Sequence, residues 1–182
     1  MKTRLAHPAD VANICRLIQF YADQGLLLPR TAEQVRANLG CFLVLTENAG
    51  GKGLQAEHTT SEERLLGCVA LESYGPDLAE IRSLAVDPDA QDRGLGGRLL
   101  EAALGTARRR KIARVFAVTH AVPFFERHGF VATSRHDMPE KIARDCTGCP
   151  KARKCKLAAV VTVLCPERAA LPVLAPAGGV AV

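Results

Sequence analysis

The run Gln91-Asp92-Arg93-Gly94-Leu95-Gly96-Gly97 sets three glycines and an arginine at the start of an apolar periodicity, Leu95, Leu99, Leu100, Ala103, Leu104 and Ala107, that predicts a helix. The first N–H groups of a helix lack intrahelical partners, and the helix dipole adds partial positive charge there. The chemistry such a run supports is therefore the binding of a phosphate or pyrophosphate. Glycine brings the backbone close to a ligand because no Cβ intervenes. A second reactive set is Cys146-x2-Cys149-x5-Cys155. A Cys-x-x-Cys pair supplies half of a zinc site, and thiolates suit zinc or iron–sulfur. A fourth ligand would have to come from His128, His136 or Cys165. The nearby Lys151, Arg153, Lys154 and Lys156 favour thiolates, so free or redox-active thiols are the alternative to a structural zinc.

The elements around the glycine run agree with the phosphate reading. Upstream, Ile81, Leu84, Ala85 and Val86 form a strand that stops at Asp87-Pro88. No Gly-Lys-Ser/Thr follows the glycines, which excludes a P-loop, and Gln and Arg stand where a dinucleotide fingerprint needs its first glycine. An ordinary glycine-rich strand-to-helix turn is the remaining alternative. From the N-terminus, residues 3–5 suit a short strand. Val11, Ile14, Cys15, Ile18 and Tyr21 mark one face of a helix over 9–22, stopped by Gly25. Thr31-Ala32-Glu33-Gln34 is a capping-box pattern opening a second short helix that ends near Gly40. Strands follow at 41–46 and 65–72, joined as a hairpin by a polar, mobile loop over 47–64. Arg114 to Thr119 is a further strand, 121–128 a short helix ended by Gly129, and 130–133 and 157–165 pair as closing strands. Residues 166–182, rich in Pro, Ala and Gly, read as a flexible tail.

Composition narrows the class. A chain of 182 residues with 48% hydrophobic and 24% charged residues suits one soluble domain. Without a membrane-length apolar run or a signal-peptide core the expected address is cytoplasmic, with no membrane partner. Seven cysteines, an odd number and no export signal, argue against a disulfide framework, and Cys15, Cys41 and Cys68 fall on apolar patterns as small core residues. The net charge of +5 favours anionic ligands, although Arg108-Arg109-Arg110-Lys111 reads equally as a solvated helix end. With two Tyr, six Phe and no Trp, and none interleaved with the basic run, no nucleic-acid partner is expected.

The glycine loop resembles the acetyl-CoA pyrophosphate loop of the GNAT acetyltransferases, Gln/Arg-x-x-Gly-x-Gly/Ala after a Val-Asp-Pro run. Phe124-Phe125-Glu126-Arg127-His128-Gly129-Phe130 resembles their aromatic segment beside the pantetheine and thiol end. The resemblance spans 5–165 and implies the GNAT fold, an α/β (α+β) domain over 1–165 with a central, mostly antiparallel mixed sheet flanked by helices. Within the superfamily, Gly25-Leu26-Leu27-Leu28-Pro29-Arg30-Thr31, Ala79-Glu80-Ile81-Arg82-Ser83-Leu84-Ala85-Val86 and the Phe-Phe-Glu stretch are similar to amino-acid N-acetyltransferases of the N-acetylglutamate synthase kind. Met138-Pro139-Glu140-Lys141 with Asp145-Cys146-x-x-Cys149-Pro150-Lys151 and Cys155 resembles the C-terminal signature of short, stand-alone members. The implied chain lacks the arginine-binding module of the long, two-domain enzymes.

That resemblance implies roles. Backbone groups of Leu84, Ala85 and Val86 would meet the pantetheine and the thioester carbonyl, Gln91 to Gly97 the pyrophosphate, and Phe124 and Phe125 the thiol end of acetyl-CoA, the co-substrate. Direct attack in a ternary complex makes positioning a large share of the rate. Strand alternation puts Glu80 and Arg82 on one face, and Glu80 is assigned as general base through water, with a surface salt bridge as its alternative. Phe125 replaces the tyrosine that many members use as general acid, so the thiolate leaves protonated by water, Tyr21 or Tyr74. Arg30, Arg82 and Lys141 are candidates for holding substrate carboxylates. Thr119-His120-Ala121 stands where long synthases have Thr-Arg-Ser, which leaves glutamate and glutamine both open. The expected reaction acetylates the α-amine of an amino acid, L-glutamate first, at the entrance to arginine biosynthesis. The alternatives are L-glutamine, another small amine or peptide, or a non-catalytic CoA- or metal-binding sensor. Self-association into a homodimer is left open.

Overall fold

In the computed structural model, residues 1–48, 63–149 and 155–169 are described. The central strands β2 (Phe42–Asn48), β3 (Glu63–Ser73) and β4 (Leu78–Val86) carry apolar runs that are buried on both faces. Such runs demand cover on each side of the sheet. One face carries α1 (Val11–Asp23) and α2 (Ala32–Ala37), whose Ile14, Ile18 and Val35 pack on Phe42, Val44, Cys68 and Ala85. The other carries α3 (Leu95–Arg109), whose Leu99, Leu100, Ala103 and Leu104 pack on Leu45, Leu66, Leu71 and Ile81. The capping box closes as its sequence predicts: Thr31 N–H donates to Gln34 Oε1 at 3.0 Å and Gln34 N–H to Thr31 Oγ1 at 3.2 Å.

The remaining elements are β1 (Lys2–Leu5), β5 (Arg114–Thr119), α4 (Val122–Glu126), β6 (Val131–Thr133), α5 (Pro139–Lys141) continued by a looser turn over Ile142–Cys146, β7 (Ala158–Val163) and α6 (Pro166–Ala169). The seven strands lie in the order β1-β2-β3-β4-β5-β7-β6. Every pair is antiparallel except β4–β5, which α3 joins as a crossover. This is the mixed, mostly antiparallel sheet expected, and the closing strands pair as expected. The hairpin runs further than its composition suggests, to Asn48 opposite Glu63, while 49–62 lie outside the described residues. The expected tail opens with a turn of helix, α6, where Arg168 donates to the Lys111 carbonyl at 2.8 Å; residues 170–182 are outside the described residues. Among the described residues no helix is long and apolar enough to cross a membrane.

Two irregularities position the site. The parallel pairing covers only Leu78, Ala79 and Glu80 against Arg114, Val115 and Phe116, so β4 beyond Glu80 has no strand on that side. Opposite β3, Cys68 faces Ala85 but Ala70 faces Arg82, so Val69 meets both Ser83 and Leu84 in a bulge, with Ser83 at φ 49°. The extra residue shifts the alternation. Glu80 and Arg82 share a face, whereas Leu84 and Val86 join Ile81 on the α3 side.

Gly67 lies where β3, β4 and α3 come closest. A Cβ there would stand 2.7 Å from the Ala85 carbonyl oxygen and 2.8 Å from Leu99 Cδ1. Gly67→Ala is expected to cost about 1–3 kcal/mol and several degrees of melting temperature, and an unchanged thermal unfolding curve would contradict this packing.

Candidate active site

Gly94, at φ 70°, turns the chain into α3, and the first helical hydrogen bond is Arg98 N–H to the Gly94 carbonyl at 3.2 Å. The N–H groups of Leu95, Gly96 and Gly97 are thus left for a ligand at the open end of the helix. Phe124 faces Gly96, its ring 3.5 Å from where a Cβ would stand, and the His128 ring lies 2.7 Å from the corresponding point on Gly97. His128 Nδ1 is hydrogen-bonded to the Phe124 carbonyl at 2.8 Å, so the aromatic segment and the glycine run form one wall. Phe125 is buried in the core, edge-on to Phe130. Gln91 Nε2 donates to the Tyr21 hydroxyl at 2.7 Å, which donates to the Val86 carbonyl at 2.5 Å, tying α1, the end of β4 and the loop together. Asp92 sits exposed at φ 58°, and Arg93 is exposed, with a 3.8 Å approach to Glu47 and a 3.6 Å contact to the Met1 sulfur. The residues expected to hold a diphosphate are therefore adjacent in space, beside the unpaired edge carrying Leu84, Ala85 and Val86.

A cavity of ≈ 200 Å³ opens on the α2 side, lined by Arg30, Gln34, Asn38, Cys41, Glu72, Arg82, Ser83 and Asp145 among others. Burial lowers the pKa of Arg30 and the charge of Arg82 lowers it further, only partly offset by Glu72, Asp145 and Glu80. Among the described residues Arg30 has no ion pair or side-chain hydrogen bond, so this wall favours an incoming anion. Arg82 differs. Burial lowers its pKa, yet the charges of Glu80, Glu72 and Asp145 outweigh this, and its guanidinium meets Glu72 at 2.7 Å, Asp145 at 3.3 Å and Glu80 at 3.5 Å.

Glu80 is 3% exposed and does not line the cavity. Its Oε2 accepts from Tyr74 at 2.7 Å and from Lys141 Nζ at 2.9 Å, and both groups also reach Asp145 Oδ2, at 2.5 and 2.7 Å. Burial, the Glu80 charge and the two hydrogen bonds push the Tyr74 hydroxyl far above its ordinary pKa, so it stays protonated. Lys141, expected on the substrate, is instead held between two carboxylates. Thr119 and His120 lie at the end of β5, where Thr119 Oγ1 accepts from Ala121 N–H at 2.9 Å, and neither lines the cavity.

The cysteines do not assemble the zinc site considered above. Cys146, Cys149 and Cys155 are half-buried free thiols, and among the described residues no three His, Cys, Asp or Glu side chains converge on a metal position. Of the suggested fourth ligands, His128 is committed to Phe124 and Gly97. Pro150 and the basic Lys151, Arg153 and Lys154 lie outside the described residues. Cys68 is fully buried, and burial pushes its thiol up to about 12; burial also raises Cys15 and Cys41.

Residues 18–130 match the model of the acetyltransferase (GNAT) family. The chain belongs to the GNAT acetyltransferase family. An uncharacterised N-acetyltransferase of Chlorobaculum tepidum is 35% identical over 161 residues, which are 88% of this chain and 95% of that protein. The amino-acid acetyltransferase of Neisseria meningitidis serogroup A is 35% identical over 144 residues, 78% of this chain but only 30% of that longer enzyme. The structure of N-acetylglutamate synthase from Neisseria gonorrhoeae, complexed with coenzyme A and N-acetyl-glutamate, superposes with a TM-score of 0.75 at 30% identity. The match covers 90% of this chain and 35% of that one.

Two groups of this GNAT site, Glu72 and Asp145, escape the reading of the sequence, and Tyr74 enters it only as a candidate proton donor. Asp145 carries a signal, because it lies four residues after Lys141 and helical spacing would place the two together. Glu72 faces Glu80 through the β3–β4 register, and Tyr74 reaches the pair from just beyond the end of β3 at Ser73, where its N–H donates to the Leu78 carbonyl. Burial raises the pKa of Asp145, but the hydrogen bonds from Lys141 and Tyr74 and the charges of Arg82 and Lys141 prevail and hold it at about 2, below its ordinary 3.8. A depressed carboxylate contributes stability that is present above about pH 4 and lost as the pH falls toward 2. Asp145→Asn should flatten the acid-side loss of stability in that window, as measured by urea unfolding at a series of pH values. The same slope in variant and parent would mean that Asp145 is not the group responsible.

Proposed function

We propose that the chain transfers the acetyl group of acetyl-CoA to the α-amine of an amino acid, with L-glutamate as the preferred acceptor. The observation that carries this reading is Arg30, a half-buried guanidinium without a counter-ion among the described residues, on the wall of a small cavity that also presents Arg82. A guanidinium in that state recognises a carboxylate by a charge-assisted, two-point contact. The relatives named for amino-acid acetylation and for N-acetylglutamate synthesis support the same acceptor class.

In this reading the diphosphate of acetyl-CoA rests on the main-chain amides of Arg93 to Gly97, and its pantetheine arm follows the unpaired edge of β4. The acceptor ammonium loses a proton through water to Glu80, which lies just behind the cavity wall. The freed amine attacks the thioester carbonyl; the C–N bond forms, the C–S bond breaks, the nitrogen releases its second proton to water, and the CoA thiolate takes up a proton from the same water. Tyr74 is a poor donor for that last step, being held protonated by two carboxylates. Tyr21 is engaged with Val86 and Gln91. The reaction would serve as the first step of arginine biosynthesis, in the cytoplasm.

L-Glutamine is the second reading, and one observation favours it. Glu72 and Asp145 stand on the same wall as Arg30 and Arg82, so the wall carries two cations and two anions. A zwitterion with a neutral side chain leaves that balance undisturbed.

A thiol-release assay with acetyl-CoA across the amino acids separates the two acceptors by their kcat/KM. Turnover confined to peptides or polyamines would refute both, and no turnover with any amine would point to a CoA-binding sensor. Arg30→Met should raise the amino-acid KM about 10- to 100-fold, the worth of a charged hydrogen-bonded contact, and leave the KM for acetyl-CoA unchanged.

A further inference from the structure

The buried charges Glu80 and Lys141, which do not line the cavity, are brought together by a segment that cannot be stable by itself. α5 has three residues and its continuation over Ile142–Cys146 is loosely wound. So short a helix does not persist through its own hydrogen bonds. It is held from outside. Met138, 2% exposed, is buried with Leu78, Phe116 and Ala159. Arg144 donates to Glu72 at 2.8 Å and to the Ser73 carbonyl at 3.2 Å, with its guanidinium 3.5 Å from the centre of the Tyr74 ring. Between those anchors the segment delivers Lys141 and Asp145 to Glu80.

Proton counting shows which of these groups is indispensable. Tyr74 has one hydroxyl proton and two carboxylate oxygens within hydrogen-bond distance, so it satisfies only one of them at a time. Lys141 has three N–H donors and reaches both carboxylates at once. The charged and titratable groups around Glu80 are Tyr74 and Glu72 on the β3 side, Arg82 on β4, Arg30 before α2, and Lys141, Arg144 and Asp145 on this segment; β5 contributes the apolar Phe116. Of the cations, Lys141 comes nearest, at 2.9 Å against 3.5 Å for Arg82. Lys141 is 9% exposed and does not line the cavity, so its ammonium is not placed to meet substrate.

We propose that Lys141 is a positioning residue for the proton transfer: clamped by Asp145, its ammonium pairs with the buried Glu80 carboxylate and fixes its orientation. This rests on the reading of Glu80 as the base. A buried carboxylate that loses its closest cation takes up a proton more readily. Because only the ionised form accepts the substrate proton, the acidic limb of kcat/KM then moves to higher pH.

The test is steady-state kinetics over a range of pH on Lys141→Met, Lys141→Arg and Glu80→Gln. Lys141→Met should lower kcat by about 10- to 100-fold, within the range that general-base catalysis supplies. Its acidic limb should move up by about one pH unit, with the KM for acetyl-CoA within about twofold of the parent. Lys141→Arg should recover most of kcat and return the limb, which a merely structural role would not require. If Lys141→Met does not fold, Lys141→Gln keeps an N–H donor without the charge and carries the same expectation. A raised amino-acid KM with kcat and the pH profile unmoved would make Lys141 a substrate ligand and overturn the proposal. Glu80→Gln separates the two ideas. Parent-like turnover in that variant removes the base and this proposal with it; an inactive Glu80→Gln beside parent-like Lys141→Met or Lys141→Gln removes this proposal alone.

Discussion

The separation of β4 from β5 after Glu80 is the constraint on which the rest of the molecule depends. Three residue pairs hold the two strands together, and past them, among the described residues, β4 has only β3 as a strand partner. An unpaired strand edge inside a protein exposes backbone donors and acceptors that must find partners. Here they face the open start of α3, which has its own unpaired N–H groups. Backbone groups without a strand partner along the end of β4 thus lie next in the chain to the free N–H groups clustered at the start of α3. That combination suits a ligand with an extended amide-bearing arm and a compact anionic group.

The bulge at Ser83 gives the cleft its second side. By inserting one residue against Val69, it lets Glu80 and Arg82 point toward the cavity side of the sheet while Leu84 and Val86 return to the α3 core. Without it, one side of the strand would have to be polar or apolar along its whole length. With it, the same nine-residue strand supplies a charged cluster at its start and core packing at its end. Ser83, in a left-handed backbone conformation, lies at the change and on the cavity wall.

The charge around Glu80 is arranged so that almost every ion has a partner and one does not. Arg82, Lys141 and Arg144 are matched by Glu72, Glu80 and Asp145 at distances from 2.7 to 3.5 Å. Buried ions left unpaired are costly, which explains why the C-terminal segment folds back to complete this network. Arg30, on the rim of the same network and without such a partner among the described residues, is left to meet an external anion.

The amino-acid sequence by itself determined the strand-and-helix order, the two-sided burial of the central strands, the capping box at Thr31 and the glycine run at the start of α3. All of these are local: periodicity, capping and turn chemistry act over a few residues, and each leaves its pattern in the chain. The glycine loop proposed to hold the diphosphate was legible for the same reason, since its residues are contiguous. Only the tertiary structure decided the charged cluster. Glu80, Tyr74, Lys141 and Asp145 are separated by up to 71 residues, and their meeting depends on the β3–β4 register, the Ser83 bulge and the docking of Met138. It also decided that Lys141 faces Glu80 instead of the cavity and that the cysteines gather no metal among the described residues. Spacing along a chain states which side chains share a helix or a strand face. It does not state which separate elements are brought into contact, because that follows from how the whole apolar surface is buried.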